Sequence, residues 1–312
     1  MVSLYRYLIV CVKEAPNMHD RETVHQKSGK TDFDLIYNLG DPREYFNVLG
    51  KFDYCIPRHG QRIFSALIEA RRNAGLEVAG DGQPGIVDIC CSYGMNAALL
   101  KYETSLDELY DRYRSDEFAD LSSGELAEAD AKFYRERLRK MAPEVVGVDV
   151  ARSAVSYGIR SGVLDAGFAE NLEEKEPTEA LARAVSRADL LTVTGGVGYI
   201  SERTFERLMD CAVEGSGGRA PWVAAFALRW VSYERISEVL SKYGLVTEKL
   251  DGHTFTQRRF TDDAERDYVL EELAGMDVNP TGKEDTGWYH ANFYLSRPAN
   301  EANIPLESLL AL

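Results

Sequence analysis

The run Ile86-Val-Asp-Ile-Cys-Cys-Ser-Tyr-Gly94, followed at once by Met95-Asn-Ala-Ala-Leu-Leu-Lys101, decides how the rest of the chain is read. It opens with a short apolar, β-favouring stretch after the breaker-rich segment at 79–85 and turns through Ser92 to Gly94. It then continues in small and straight-chain residues that suit a helix lying close on a sheet. A strand that ends in a glycine-containing turn and opens a helix presents backbone N–H groups at the carboxyl edge of the sheet, where open α/β proteins bind ligands.

Working outward, the next apolar run is Val145-Val-Gly-Val-Asp149, and a carboxylate at the end of a neighbouring strand can accept hydrogen bonds from both ribose hydroxyls of a nucleoside. A helix over 151–161, the link Phe168-Ala-Glu-Asn-Leu172, a helix over 178–186 and a strand over 189–194 come next. A helix over 201–213, a strand over 222–228 and a helix over 233–243 complete the alternation of a doubly wound sheet. At the end, a strand over 245–250, a polar excursion over 251–260, a helix over 262–274 and a strand over 288–295 predict an antiparallel pair at one side of that sheet. Upstream, Asp41-Pro42-Arg43-Glu44 predicts a capped helix carrying Tyr45, Phe46 and Leu49, and a second helix is expected over 61–72. Between the first strand-helix unit and the second strand, residues 102–143 hold two capping boxes, Ser105-Leu-Asp-Glu108 and Ser122-Ser-Gly-Glu125. They predict an insertion of two helices, the second reaching Leu138 and Met141.

Composition narrows the function. With 312 residues, 45% hydrophobic and 28% charged, the chain can bury a large core. Its net charge of -15 repels phosphate backbones and anionic headgroups, so neither nucleic acid nor a membrane is expected as partner. The five cysteines, Cys11, Cys55, Cys90, Cys91 and Cys211, are scattered and include a vicinal pair, which reads as a reducing, cytoplasmic setting. The histidines (His19, His25, His59, His253, His290) lack metal-ligand spacing, so no metal is expected. The apolar run at 7–12 is too short to span a bilayer and lacks a small-residue cleavage site.

The run at 88–94 resembles motif I of class I S-adenosylmethionine-dependent methyltransferases, usually Asp-x-Gly-x-Gly-x-Gly. Cys90 and Ser92 stand where that pattern has glycine, and Gly94 keeps its place. Positive φ at Cys90 or Ser92 would strain those residues. The resemblance covers residues 60–297 and implies a seven-stranded, mostly parallel sheet of order 3-2-1-4-5-7-6 with strand seven antiparallel, N-terminal helices and a helical insertion. It implies S-adenosylmethionine as cofactor, gripped by Asp88, Cys90, Cys91, Ser92, Gly94, Asp149 and Val150. Glu170, Asn171 and Leu172 fall in the adenine-contacting region, and Thr194, Gly195 and Gly196 at the fourth strand's end. The expected organisation is a flexible leader at 1–30, with Met18 as a second in-frame start, and a helical cap at 31–75. A Rossmann-like domain at 76–298 and a tail at 299–312 follow. A plain dinucleotide dehydrogenase uses the same strand, turn and acid, but a pyrophosphate wants a turn uncrowded by side chains.

Around that site, Tyr199, His253 and His290 are the candidate catalytic residues, through cation–π contact for the tyrosine and general-base action for the histidines. Each histidine also reads as an ordinary surface or strand residue. Arg258 and Tyr289 are candidates for substrate binding, although a double arginine is more often a solvated face. Cys90 and Cys91 read as core packing. The aromatic residues of the insertion, with Tyr37, Tyr45, Phe46 and Phe52, serve either as a lid or as ordinary core. The expected activity is methylation of an oxygen or nitrogen on a small molecule, in specialised metabolism, with a homodimer as one expected assembly. Two alternatives stand: attack on the cofactor's aminocarboxypropyl arm, releasing methylthioadenosine, and a non-catalytic cofactor-binding module.

Overall fold

The computed structural model describes residues 33–73 and 85–310. The expected leader at 1–30, Met18 included, and most of the breaker-rich segment before the first strand lie outside them. In chain order the elements begin with α1 (Asp34–Tyr37), α2 (Arg43–Leu49), α3 (Ile56–Asn73), β1 (Gly85–Ile89) and α4 (Met95–Lys101). They continue with α5 (Leu106–Tyr113), α6 (Ser123–Arg135), β2 (Glu144–Asp149), α7 (Arg152–Arg160) and β3 (Ala166–Ala169). Next come α8 (Glu179–Val185), β4 (Leu190–Val193), α9 (Glu202–Gly215), β5 (Trp222–Leu228) and α10 (Glu234–Ser241). The last are β6 (Leu245–Lys249), β7 (Phe255–Arg259), α11 (Asp263–Gly275), β8 (Trp288–Pro298) and α12 (Leu306–Leu310).

The sheet runs β3-β2-β1-β4-β5-β8-β6, with β7 also paired to β8. The pairs from β3 through β5 are parallel, whereas β8 is antiparallel to β5, β6 and β7. Because β5 holds one edge of β8 up to Ala291, β7 pairs along the other edge, in line with β6. The outer strand is therefore one path broken at residues 250–254, and the order matches the seven-stranded expectation. The excursion expected over 251–260 is corrected accordingly: its second half is strand β7, and the alternation Thr254-Phe-Thr-Gln was its cue.

Strands β1, β4 and β5 are buried on both faces, as parallel strands between helical layers must be. Ile86, Leu190 and Phe226 face a core shared with α3, α4 and the N-terminal helices, while Val87, Leu191 and Val223 face a second core under α8, α9 and α10. Burying each such side chain contributes roughly 1.5–3 kcal/mol.

The insertion is built into the first core. Phe46 of α2 stacks on Tyr113 of α5 with ring centroids 4.7 Å apart. Arg43 donates to the Phe118 and Ala119 carbonyls at 2.9 Å. Asp130, fully buried, accepts hydrogen bonds from Tyr113, from Tyr157 at 2.6 Å and from Arg112 at 2.9 Å, pinning α5, α6 and α7 together. Of the expected lid aromatics, Tyr45 and Phe46 are core residues, and Phe52 leans on Phe33.

Several local expectations are corrected. Asp41 is not a helix cap: it accepts from the Arg43 N–H and pairs with its guanidinium at 2.8 Å. The Ser122 capping box forms in full, whereas Ser105 caps Glu108 and that glutamate turns to Thr104 instead. Helix α6 stops at Arg135, leaving Leu138 and Met141 exposed. The link at 168–172 begins as strand β3. The expected tail carries α12, whose Leu306 and Leu310 are buried in the first core.

Candidate functional site

Past Ile89 the chain passes through positive φ at Cys90 (57°), Ser92 (50°) and Gly94 (85°). These are the three alternating positions where the resembled motif has glycine, so the backbone path of a glycine loop is kept by two residues with side chains. Left-handed backbone costs a residue with a Cβ about 1–2 kcal/mol. The surroundings hold it in place. The Cys91 N–H donates to the Val148 carbonyl (3.3 Å) and the Gly94 N–H to the Cys91 carbonyl (2.8 Å). The Ser92 N–H donates to Asp149 Oδ2 at 2.8 Å, and the Ala151 N–H to Asp149 Oδ1 at 2.8 Å. Each thiol covers a glycine: a Cβ on Gly196 would lie 2.5 Å from Cys90 Sγ, and one on Gly147 would lie 2.6 Å from Cys91 Sγ. Burial raises both thiol pKa values well above the ordinary range, which fits packing and not nucleophilic chemistry.

The expected convergence of loop and acid is thus a direct hydrogen bond. Burial raises the Asp149 pKa, against the backbone N–H groups that favour its charged form. Asp88 has a different place. It is 1% exposed and accepts from Asn96 Nδ2 and Thr192 Oγ1, both at 2.8 Å, so it ties β1 to α4 and β4. Burial pushes its pKa up to about 7. Asn96 also donates to Thr194 Oγ1 at 3.1 Å. Val150, next to the acid, is 66% exposed. Glu170 accepts from the N–H and hydroxyl of Thr178 at the start of α8. Asn171 accepts from the Glu173 N–H at 3.0 Å, and Leu172 is buried.

Beside Gly195 lies a cavity of about 30 Å³, lined by Phe33, Tyr37, Leu49, Tyr54, Gly195, Tyr199, Gln257 and Arg258. Three distant stretches build it: the N-terminal helices, the loop after β4, and β7. Burial, followed by the neighbouring Tyr54 and Tyr199, raises the Tyr37 pKa well above 10, and the Asp149 charge adds to the shift. The cavity therefore adjoins the loop-and-acid site, and burial keeps its Tyr37 and Tyr54 hydroxyls protonated. Tyr93, between the two left-handed residues Ser92 and Gly94, links the two regions. Its hydroxyl lies 2.9 Å from the Ile36 carbonyl oxygen and 3.1 Å from that of Leu39, bracketing the end of α1. Asn38 in turn accepts from the Ser153 N–H of α7 at 3.2 Å.

The candidate catalytic and substrate residues divide. Tyr199 lines the cavity and is 51% exposed. Arg258 also lines it, but its guanidinium pairs with Glu265 through two hydrogen bonds of 2.9 and 2.7 Å, which leaves it poorly placed to take a substrate carboxylate. It lies over the rings of Tyr289 and Phe33. Tyr289 is fully buried against Phe260 and Arg258. His253 is exposed in the break between β6 and β7. His290 sits 3.1 Å from Thr254 Oγ1, and burial, with Arg229 and Lys283, lowers its pKa to about 4. Neither histidine is among the residues lining the cavity. Tyr54, Gln257 and Tyr93 were not singled out from sequence; the strand alternation at 254–257 was the one cue that could have found Gln257.

Among the described residues, no cluster of three or more His, Cys, Asp or Glu side chains could hold a metal ion, and no helix is long and apolar enough to cross a membrane. No protein family and no curated protein matches the sequence. Solved structures do. A TehB-like SAM-dependent methyltransferase from Corynebacterium glutamicum is 14% identical, with 72% of this chain and 85% of that chain covered at a TM-score of 0.32. The YcgJ protein of Bacillus subtilis is 10% identical, with 74% and 97% covered at 0.39. Phosphoethanolamine N-methyltransferase 2 of Haemonchus contortus, solved with S-adenosylhomocysteine, is 12% identical, with 75% and 52% covered at 0.31. Strand order carries the assignment that such distant likenesses cannot: the chain has the Rossmann-like fold of class I methyltransferases, with two glycines of its first loop replaced and its outer strand broken in two.

Proposed function

We propose that the chain is an S-adenosylmethionine-dependent transferase that methylates an oxygen or nitrogen of a small molecule. The observation that carries this reading is the Ser92 N–H held by Asp149, which joins the loop after β1 to the acid after β2. The residues fit the cofactor. Each carboxylate oxygen of Asp149 accepts one backbone N–H and keeps a lone pair for a ribose hydroxyl. Exposed Val150 offers an apolar surface for adenine, and the Cys90 thiol is occupied against Gly196.

When bound, the cofactor supplies an electrophilic methyl carbon on a sulfonium. Asp149 and the loop at 90–94 would hold the nucleoside, and Tyr37 and Tyr199 would present ring faces toward positive charge. Burial keeps the Tyr37 hydroxyl protonated, so it positions an acceptor by donating a hydrogen bond and does not remove its proton. Rate enhancement then rests on alignment and on exclusion of water by the aromatic wall. No step needs His253 or His290. The net charge of -15 and the narrow cavity favour a compact acceptor over nucleic acid.

A second reading, attack on the aminocarboxypropyl arm, is favoured by the cavity's size. About 30 Å³ is room for little more than a water, and attack by the arm's own amine needs no second substrate. Mass spectrometry after incubation with S-adenosylmethionine separates the two. S-adenosylhomocysteine, formed when a small-molecule extract is added, is the expected product. Methylthioadenosine formed from the cofactor alone would replace methyl transfer with arm attack. Calorimetry tests the shared premise: Asp149→Ala is expected to weaken S-adenosylhomocysteine binding at least about 100-fold, as two charge-assisted hydrogen bonds are lost. Unchanged affinity would remove the cofactor assignment.

A further inference from the structure

Two hydrogen-bond donors converge over Gly195. A Cβ on that glycine would stand 3.4 Å from Tyr54 Oη and 3.4 Å from Gln257 Nε2, so a hydroxyl and an amide meet over its bare face. All three residues line the cavity of about 30 Å³. The Gln257 Oε1 is a buried atom, so the carboxamide meets the glycine with its N–H groups. Burial raises the pKa of both Tyr45 and Tyr54, which keeps each hydroxyl protonated. The hydrogen bond these two share adds to the rise at Tyr45 and opposes it at Tyr54, the signs of Tyr45 donating and Tyr54 accepting. The Tyr54 oxygen is thus engaged, and its own hydrogen is left to point elsewhere.

Charge and size then decide what those donors meet. Among the described residues that line the cavity, Arg258 is the one charged side chain. Its partner Glu265 is not in the lining, so the buried ion pair turns its positive end to the cavity. The Asp149 charge reaches the Tyr37 hydroxyl, but Asp149 does not line the cavity either. About 30 Å³ is the share of one water in the liquid, so the occupant is a single water or a monatomic ion. A water brings two hydrogens that need acceptors, and this wall answers with donors. A cation would face the guanidinium. An anion needs donors alone, and hydrogen bonds to a charged partner are the stronger kind.

We propose that the slot over Gly195 is a halide site, in which one monatomic anion, chloride or bromide, accepts from the Tyr54 hydroxyl and the Gln257 amide with the Arg258 guanidinium in the wall. Seated there, the ion braces three stretches far apart in sequence: the segment before α3, the loop after β4, and β7. The site stands apart from the transferase reading, since no atom of a cofactor is needed to form it.

The test uses the full chain with chloride itself as probe, followed through the line broadening of its NMR signal. Saturable broadening is expected, reversed by bromide but not by sulfate, a polyatomic anion too large for the slot, at matched ionic strength. Tyr54→Phe and Gln257→Leu each remove one donor and are expected to weaken chloride binding at least about tenfold. Gly195→Ala blocks the space instead. Its Cβ makes only ordinary contacts with Tyr54 and Gln257, so the chain folds, but the methyl takes the ion's place and the saturable broadening is lost. A parent without saturable broadening would leave the slot to water and overturn the proposal. Displacement by sulfate as readily as by bromide, or broadening by Gly195→Ala equal to the parent's, would overturn it too. Melting temperatures check folding; should a donor variant unfold, Gly195→Ala and the bromide–sulfate contrast in the parent still decide.

Discussion

The loop-and-acid side and the cavity side of the candidate site are built by different means. On the first, backbone groups do the work: N–H donors of Ser92 and Ala151, left-handed turns, and thiols resting on glycines, all from the ends of adjacent parallel strands. On the second, side chains do it, drawn from residues 33–54, 195–199 and 257–258. The first is a tight arrangement in which one added carbon has nowhere to go. The second is a loose wall in which one tyrosine is half exposed and the Gln257 Oε1 has no hydrogen-bond partner among the described residues.

The largest effect expected from this difference is at Gly196. A Cβ there would stand 2.5 Å from Cys90 Sγ and 2.8 Å from its Cβ, so Gly196→Ala should destabilise the fold by about 1–3 kcal/mol in urea unfolding. Adding Cys90→Gly removes the obstructing atoms and should restore most of the loss. If the single variant is as stable as the parent, the loop-and-acid side is as yielding as the cavity and the contrast fails.

A smaller change of opposite sign is expected at Ser92. Its φ is 50° and its hydroxyl is buried without a partner among the described residues, so Ser92→Gly relieves both. Glycine's greater freedom in the unfolded chain offsets about 0.5–1 kcal/mol of that. The net expectation is a gain of about 1 kcal/mol, read as a higher melting temperature. A lower one would mean that the serine hydroxyl has a role the backbone does not reveal.

This is also where the sequence was most and least legible. Val87, Asp88 and Asp149 announce a loop and an acid because strand ends that meet in space follow from a regular alternation, which is a local pattern. Cys90 and Ser92 read as strained there because glycine is the usual answer to positive φ; here neighbouring packing overrides that preference. The cavity was opaque for the opposite reason. Tyr54 and Gln257 meet only because the Tyr54–Cys55 segment bonds to the far edge of β7, a pairing of long sequence separation that no local pattern encodes. His253 and His290 drew attention by residue type alone, and residue type does not say which edge of a strand a ring will occupy.

The smallest expected effect is a pair of opposed pH dependences. Asp88, under the loop, holds its proton to about pH 7 when folded against an ordinary value of 3.8, so its contribution is full in acid and is lost as pH rises from about 4 through 7. His290, paired opposite β7, takes a proton only near pH 4 when folded against an ordinary 6.5, so its contribution is present above 6.5 and is lost as pH falls toward 4. In the parent the two slopes oppose. Asp88→Asn should leave stability rising between pH 4 and 6.5, and His290→Gln should leave it falling over pH 4 to 7; chemical denaturation across that range reads both. Parallel profiles for the two variants would show that the regions do not titrate as their burial dictates.

Tyr93 gives the separation between the regions a limit. It belongs to the loop after β1 by sequence and to the N-terminal helices by its hydroxyl, which lies within bonding distance of the chain just before and just after Tyr37. A shift of the loop by a fraction of an ångström is therefore transmitted to the aromatic wall through one phenol ring. Seen this way, the two halves of the site share a single hydrogen-bonded hinge pin.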